Sequence, residues 1–194
     1  MLARILLLIV DAVAGFLTFA FLARFALQWA RASFRNPLGQ FVIAATDWAV
    51  RPARRLVPSA FGHDLPSLVL AWLVQLAAAL VLVLLLGGAG AAASPGTLLI
   101  AALGAVIAVL RFAIWLAMAA IFVSALFSWV NPHAPLAGPV DALARPLLRP
   151  FRRLLPPIGG VDLTPLLALL ALQIAQIVLD QLQAGIFGTG RVFL

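Results

Sequence analysis

The stretch LPSLVLAWLVQLAAALVLVLLL, which occupies residues 65–86, contains no charged side chain. A helix of about 20 apolar residues is long enough to cross the hydrocarbon core of a bilayer. Three further apolar runs occupy residues 5–29, 98–130 and 163–182. Long continuous runs are typical of spanning helices, whereas barrel strands give short alternating segments. We therefore predict an all-α polytopic membrane protein with four transmembrane helices.

The composition supports this class. Of the 194 residues, 65% are hydrophobic and only 10% are charged, and the mean hydropathy is +1.16. A soluble domain carries about 25% charged residues, so an ordinary soluble fold and a disordered chain are both excluded. The chain has no cysteine, which excludes disulfides, thiolate metal sites and thiol nucleophiles.

The arginines predict the orientation of the chain. The short loops that carry most Lys and Arg face the cytoplasm. Both arginine-rich segments are therefore expected to be cytoplasmic, and both termini and the glycine-rich residues 87–97, predicted as a loop, are expected to face outward. The arginines of the two segments are Arg31, Arg35, Arg51, Arg54 and Arg55, and then Arg145, Arg149, Arg152 and Arg153.

An internal repeat divides the chain. Shifting the sequence by 98 residues aligns RPARRLVP, at residues 51–58, with RPFRRLLP, at residues 149–156. We predict two parallel repeats, at residues 1–86 and 98–194, joined by an outward-facing linker at residues 87–97. The same shift pairs Gly62 with Gly160, Asp64 with Asp162 and Gln75 with Gln173, whereas Trp29 aligns with Trp129 only after a two-residue gap.

Each arginine-rich segment has a helical pattern with one apolar side. We predict an amphipathic cytoplasmic helical segment in each repeat, kinked or broken at Pro52, Pro146 and Pro150. The apolar stripes contain Val42, Ala45, Ala49, Ala53 and Leu56 in the first segment, and Val140, Leu143, Leu147, Phe151 and Leu154 in the second.

The arginines of these segments are candidate binding residues. They are expected to bind anionic lipid headgroups or an acidic partner surface. Nucleic acid is not expected as a partner, because no aromatic stacking platform or nucleic-acid-binding fold accompanies them. The candidates are Arg51, Arg54, Arg55, Arg149, Arg152 and Arg153.

Charges inside the apolar runs are costly and often functional. Asp11 and Arg111 each lie 18 residues before a tryptophan, Trp29 and Trp129 respectively, and so about 27 Å from it along a helix. We predict that they pair across the first and third helices; separate hydration of the two is the alternative. Arg24 is expected to extend to the cytoplasmic interface. Residues 98–108 are either a helical extension or an interfacial turn.

Polar residues elsewhere have structural interpretations. Asp64 and Asp162 precede helices and are expected to cap them or to pair with an arginine, with an ion or proton site as the alternative. The pairs Pro156–Pro157 and Gly159–Gly160 are typical of turns. Interhelical hydrogen bonds are expected from Gln75, Gln173 and Gln176.

RRLLPPIGGVDLTPL at residues 152–166, together with the tryptophan-ended helix before it, resembles the YggT family. The first repeat matches less well, because Ser59 and His63 depart from the pattern. The second repeat is therefore expected to carry any precise function of the motif. The motif residues are Pro58, Gly62 and Asp64 in the first repeat, and Pro156, Pro157, Gly159, Gly160, Asp162 and Pro165 in the second.

The resemblance implies a bacterial plasma (inner) membrane or plastid protein, whose relatives are linked to cell division, nucleoid distribution, osmotic stress and cytochrome assembly. It implies no catalytic residue set, and no nucleophile–base constellation occurs in the sequence. We expect no enzyme, cofactor or metal site. The leading hypothesis is a scaffold or assembly factor that organises a membrane protein complex or an envelope or division process. The alternative is a small transporter or channel for ions or osmotic homeostasis, with Asp11, Gln75, Arg111 and Gln173 along its pathway.

Overall fold

The computed structural model describes residues 2–58, 64–154 and 162–187. These residues contain no β-strand, and four of their helices, α1, α3, α4 and α6, are long and apolar enough to cross a membrane. The predicted all-α membrane protein with four such helices is therefore confirmed. In order, the helices are α1 (Leu2–Trp29), α2 (Pro37–Ala53), α3 (Leu65–Ala92), α4 (Pro95–Val130), α5 (Ala137–Leu154) and α6 (Thr164–Phe187).

The helices follow a long–short–long order twice, as the internal repeat predicts. Leu27 of α1, Val42 of α2, Ala120 of α4 and Leu143 of α5 form one buried cluster. The short helices α2 and α5 therefore lie at the same end of the bundle, so the two repeats are parallel. The opposite end holds the connection between α3 and α4.

Residues 87–97, predicted as a loop, are helical except at the kink of Gly88 and at Ala93 and Ser94. The α3 helix continues to Ala92, and α4 begins at Pro95 behind the capping hydroxyl of Ser94. Alanine is the strongest helix former, so the alanines of this segment sustain the helix between its glycines. The chain breaks from helical geometry at Gly88, whose φ is 77°, a conformation that glycine adopts readily.

Residues 98–108 form the first part of α4 rather than an interfacial turn. This helix has 36 residues, which corresponds to a length of about 54 Å. It therefore extends well beyond the roughly 30 Å that the hydrocarbon core requires.

The α5 helix runs through Pro146 and Pro150 without the expected break. Each proline removes one backbone hydrogen bond, but one side of the helix is firmly packed. Ala144 and Leu148 are buried against Ile121 of α4 and Ala168 of α6. This packing holds the helix together and leaves Arg145, Arg149, Arg152 and Arg153 exposed on it.

The α2 helix is rotated relative to the predicted stripe. Its buried residues include Val42, Thr46 and Val50, rather than a row of alanines. Val50 packs with Phe21 of α1 and Ala71 of α3 in the buried core. The rotation places the Thr46 hydroxyl inside the bundle, where it accepts a hydrogen bond from Arg24 of α1.

Candidate functional site

Arg24 of α1 is buried, with only 7% of its surface exposed. The prediction that it extends to the interface is therefore wrong. Its guanidinium donates hydrogen bonds from Nε to Asp64 Oδ2 at 3.2 Å, and from Nη1 to Asp47 Oδ1 at 2.7 Å. Nη1 also donates to Thr46 Oγ1 at 2.8 Å. One arginine thus joins α1 to α2 and to the residue preceding α3.

The carboxylate of Asp64 is completely buried and receives two further groups. Ser67 donates its hydroxyl to Asp64 Oδ2 at 2.7 Å, and Arg54 lies 3.2 Å from Oδ1. The expected pairing of Asp64 with an arginine is confirmed. We call Arg24, Thr46, Asp47, Asp64 and Ser67 the Arg24 network. Removing one partner of a buried ion pair leaves the other charge uncompensated, so such a network constrains its helices strongly.

Asp47 contributes the more accessible carboxylate of the Arg24 network. It also pairs with Arg51 one turn later, at 2.6 Å. Burial raises the pKa of Asp47, but the hydrogen bonds and charges of Arg24 and Arg51 outweigh burial and hold the pKa below its ordinary value of 3.8. Asp47 therefore stays ionised at neutral pH.

The second repeat lacks a counterpart of this buried arginine. Counting five residues back from Trp29 and Trp129 gives Arg24 in one repeat and Ser124 in the other. The Ser124 hydroxyl reaches only Asp141 of α5, at a long 3.5 Å. The Arg24 network is therefore a feature of one repeat, and the sequence signal for it was an arginine without a repeat partner.

Asp162, the repeat counterpart of Asp64, is 43% exposed at its side chain. It accepts hydrogen bonds from the backbone N–H and the hydroxyl of Thr164, at 2.9 and 2.5 Å, at the start of α6. Arg152 Nε lies 3.4 Å away. Burial raises the pKa of Asp162, but the Thr164 hydrogen bonds and the Arg152 charge hold it below 3.8. Asp162 therefore accepts the first backbone N–H of α6 and also lies beside an arginine.

The six candidate arginines differ in their partners. Arg51 pairs with Asp47, Arg54 with Asp64 and Arg152 with Asp162. Within the described residues, no carboxylate lies within 4 Å of Arg55, Arg149 or Arg153, and all three are exposed. The α5 helix thus presents two unpaired arginines one turn apart.

The remaining motif residues are only partly described. Pro58 is exposed after the end of α2, and Pro165 lies in the first turn of α6, where its missing N–H costs no hydrogen bond. The predicted turn residues Gly62, Pro156, Pro157, Gly159 and Gly160 lie outside the described residues.

Arg111 does not pair with Asp11, so that prediction is wrong. Its Nη2 lies 2.7 Å from Asp180 Oδ1 and donates to Gln183 Oε1 at 2.6 Å. Asp180 lies 18 residues after Asp162, and so about 27 Å further along α6. Arg111 lies the same number of residues before Trp129 in α4, so the two charges are at the same level. Because α4 and α6 pack together, Arg111 pairs with Asp180 rather than with Asp11.

Two of the three glutamines form the expected interhelical hydrogen bonds. Gln75 of α3 donates to the buried Thr18 hydroxyl of α1 at 2.8 Å, and Gln176 of α6 donates to the backbone oxygen of Arg111 at 3.1 Å. Gln173 is exposed on α6, and the structure gives it no such bond to the described residues.

A cavity of about 680 Å³ lies among α1, α3 and α4, with Gln183 of α6 at its side. Asp11, Gln75 and Arg111 all line it, so three of the four residues predicted for a pathway share one space. Gln173 does not line it. Beyond Gln75, towards α2, the buried side chains of Phe21 and Val50 fill the bundle. Among the parts of the chain described, no three acidic or histidine side chains are grouped as a metal site requires.

These features define a duplicated, multi-pass helical membrane protein, whose first repeat contains a buried ion network. The chain belongs to the CCB3/YggT family, whose model matches it twice, at residues 3–85 and 103–183. The two matches agree with the two repeats of the fold.

Its relatives are similar along most of their length. An uncharacterized protein of Pseudomonas aeruginosa is 40% identical over 167 residues, which cover 84% of this chain and 82% of that protein. The uncharacterized protein YggT of Escherichia coli K12 is 34% identical over 179 residues, covering 91% and 88% respectively. No solved structure is significantly similar to the chain.

Proposed function

We propose that the protein is a non-enzymatic membrane scaffold or assembly factor of the bacterial plasma membrane. The observation that carries the proposal is that two exposed arginines of α5, Arg149 and Arg153, have no carboxylate within 4 Å among the described residues. They stand on a helix whose other side is fixed by Leu143, Ala144 and Leu148. A fixed array of cations suits recognition of an acidic surface better than a flexible one, because less side-chain and backbone freedom is lost on binding.

The proposed docking face is therefore the arginine side of α5 in the second repeat, on the cytoplasmic side of the membrane. Anionic lipid headgroups would hold this face at the bilayer surface. An acidic segment of another membrane protein complex would complete the recognition, since planar guanidinium groups match carboxylate geometry. In the first repeat, two of the three equivalent arginines, Arg51 and Arg54, pair instead with Asp47 and Asp64.

Affinity purification in mild detergent with quantitative mass spectrometry tests this proposal. The informative variant is Arg149→Gln/Arg153→Gln. Its matched control is Arg51→Gln/Arg55→Gln, which removes the same two charges at the equivalent repeat positions. At equal membrane abundance, we expect the α5 variant to lose a membrane protein complex that wild type and the control both retain. Equal recovery of that complex by both variants, or equal loss, would contradict the proposal.

A small transporter or channel is the second candidate, and the cavity favours it. Gln75 is ten residues into α3, about 15 Å from its start, so the cavity reaches the level of the bilayer midplane. Ion flux in proteoliposomes tests this alternative, with Asp11→Asn as the variant. A flux that depends on Asp11 would favour transport, and absence of flux under an imposed gradient would reject it.

A further inference from the structure

The cavity has apolar walls and a polar outer end. Its volume of about 680 Å³ falls in the range of about 300–1,000 Å³ that ligand pockets occupy. The space exists because the facing helices carry small side chains. These are Ala78 and Ala79 on α3, and Gly104, Ala105 and Ala108 on α4.

The outer end of the cavity carries a carboxylate without a cation partner and one guanidinium nitrogen without an acceptor, as far as the described residues show. Asp11 lines the cavity, and no cation of the described residues lies within 4 Å of its carboxylate. Arg111 lines the same cavity, and its Nε is buried and finds no hydrogen-bond partner among the described residues. Asp180 and Gln183 occupy the Nη2 end of that guanidinium and hold it in place. A buried donor without a partner is unusual in a native protein, and a bound water, an ion or a ligand group can satisfy it.

The needs of these two groups are opposite. Asp11 requires a hydrogen-bond donor with positive charge, and Arg111 Nε requires an acceptor. A simple anion would be repelled by the negative charges of Asp11 and Asp180, and a simple cation would be repelled by Arg111. A zwitterion that carries a donor ammonium and an acceptor phosphate satisfies both groups and adds no net charge to the membrane.

We propose that this cavity binds one phospholipid with a primary-ammonium zwitterionic headgroup, a phosphatidylethanolamine. Its ammonium donates to Asp11, its phosphate accepts from Arg111 Nε, and one acyl chain lies in the apolar cavity. The site goes beyond the proposed scaffold function and lies at the opposite end of the bundle from α5.

The depth of the cavity agrees with one leaflet. It extends from Asp11, about 27 Å from Trp29, to Gln75 near the midplane. The hydrogen bond between Gln75 and Thr18 closes the space at that level. An acyl chain of one leaflet ends at the midplane too, because the hydrocarbon core of about 30 Å is shared by two leaflets.

Native mass spectrometry of the full chain tests the proposal. The protein is exchanged into an equimolar mixture of phosphatidylethanolamine, phosphatidylcholine and phosphatidylglycerol with identical acyl chains. Phosphatidylcholine has the same phosphate but no ammonium N–H, so it isolates the bond to Asp11. We expect the phosphatidylethanolamine adduct to exceed the phosphatidylcholine adduct about tenfold, as one charge-assisted hydrogen bond provides.

Two variants locate the site. Asp11→Asn should abolish the preference between these two lipids, and this carboxylate is exposed, so the fold should persist. Ala108→Leu fills the cavity and should remove the adduct, whereas Ala119→Leu, on an exposed side of the same α4 helix, should retain it. Equal binding of the two zwitterionic lipids, dominance of phosphatidylglycerol, or a preference that survives Asp11→Asn would overturn the proposal.

Discussion

Arg24 is the residue on which the first repeat depends most. It is buried and bonded to groups on α2 and immediately before α3. Replacing it by leucine would leave two carboxylates near each other without their shared cation. We expect Arg24→Leu to lower the unfolding free energy by about 3–5 kcal/mol, measured by thermal unfolding in detergent.

The matched control for this prediction is Arg51→Leu. Arg51 also pairs with Asp47, but its side chain is 77% exposed, so its loss should cost about 0–1 kcal/mol. Similar melting temperatures for the two variants would show that the Arg24 network does not hold the helices together.

The aspartates make stability depend on pH in a defined direction. Asp47 has a folded-state pKa below its ordinary value of 3.8. Its contribution is therefore complete above that ordinary value and is lost as the pH falls towards the lowered pKa. We expect the wild-type melting temperature to exceed that of Asp47→Asn at pH 7, with the difference shrinking below about pH 4. A constant difference between pH 7 and pH 3 would contradict this mechanism.

Residue types alone could not reveal the correct partners. Asp11, Arg111 and Asp180 were all visible as charges in apolar runs, and their depths followed from the helical rise. Depth does not say which helices are neighbours. Arg111 pairs with Asp180 because α4 packs against α6, and this adjacency is a property of the tertiary packing. Arg24 was similarly visible, but its burial depended on the rotation of α2.

At the scale of elements, α2 begins in a close approach that only glycine permits. A Cβ on Gly39 would lie 2.7 Å from the backbone Cα of Phe34. The same glycine N–H donates to the capping side chain of Asn36 at 2.8 Å. We expect Gly39→Ala to lower the melting temperature, because backbone must shift and the cap, worth about 1 kcal/mol, must loosen.

Gly138, in the first turn of α5, provides the comparison. A Cβ there would meet nothing within 4 Å. Gly138→Ala should therefore raise stability by about 0.4–1 kcal/mol, through the unfolded chain. If both substitutions changed the melting temperature in the same direction, the close approach at Gly39 would not be the cause.

The elements were predicted best where a long apolar run determined them. Residues 65–86 could only be a spanning helix, and the duplicated arginine motif correctly predicted two repeats. In residues 87–97 the glycines, Ser94 and Pro95 favour a loop, but the alanines between them sustain the helix as far as Ala92. The prolines of α5 likewise predict a break that does not occur, because packing at Leu148 outweighs local propensity.

At the scale of the whole molecule, the orientation in the membrane is open to a direct test. The chain has no cysteine, so a single introduced cysteine can be labelled without background. Gly96 and Gly138 lie at opposite ends of the bundle, and an added side chain at either meets nothing within 4 Å. In spheroplasts, whose inner membrane is intact, an impermeant maleimide should label Gly96→Cys and should not label Gly138→Cys. The reverse pattern would invert the predicted topology.

Ser124 stands where the first repeat has Arg24, so the two halves of the chain differ at this position of the repeat. A protein with one repeat per chain would have to use identical residues in every copy. Here the duplication within one chain removes that restriction. One half holds a guanidinium group in its interior, and the other half has a small hydroxyl side chain at the equivalent position.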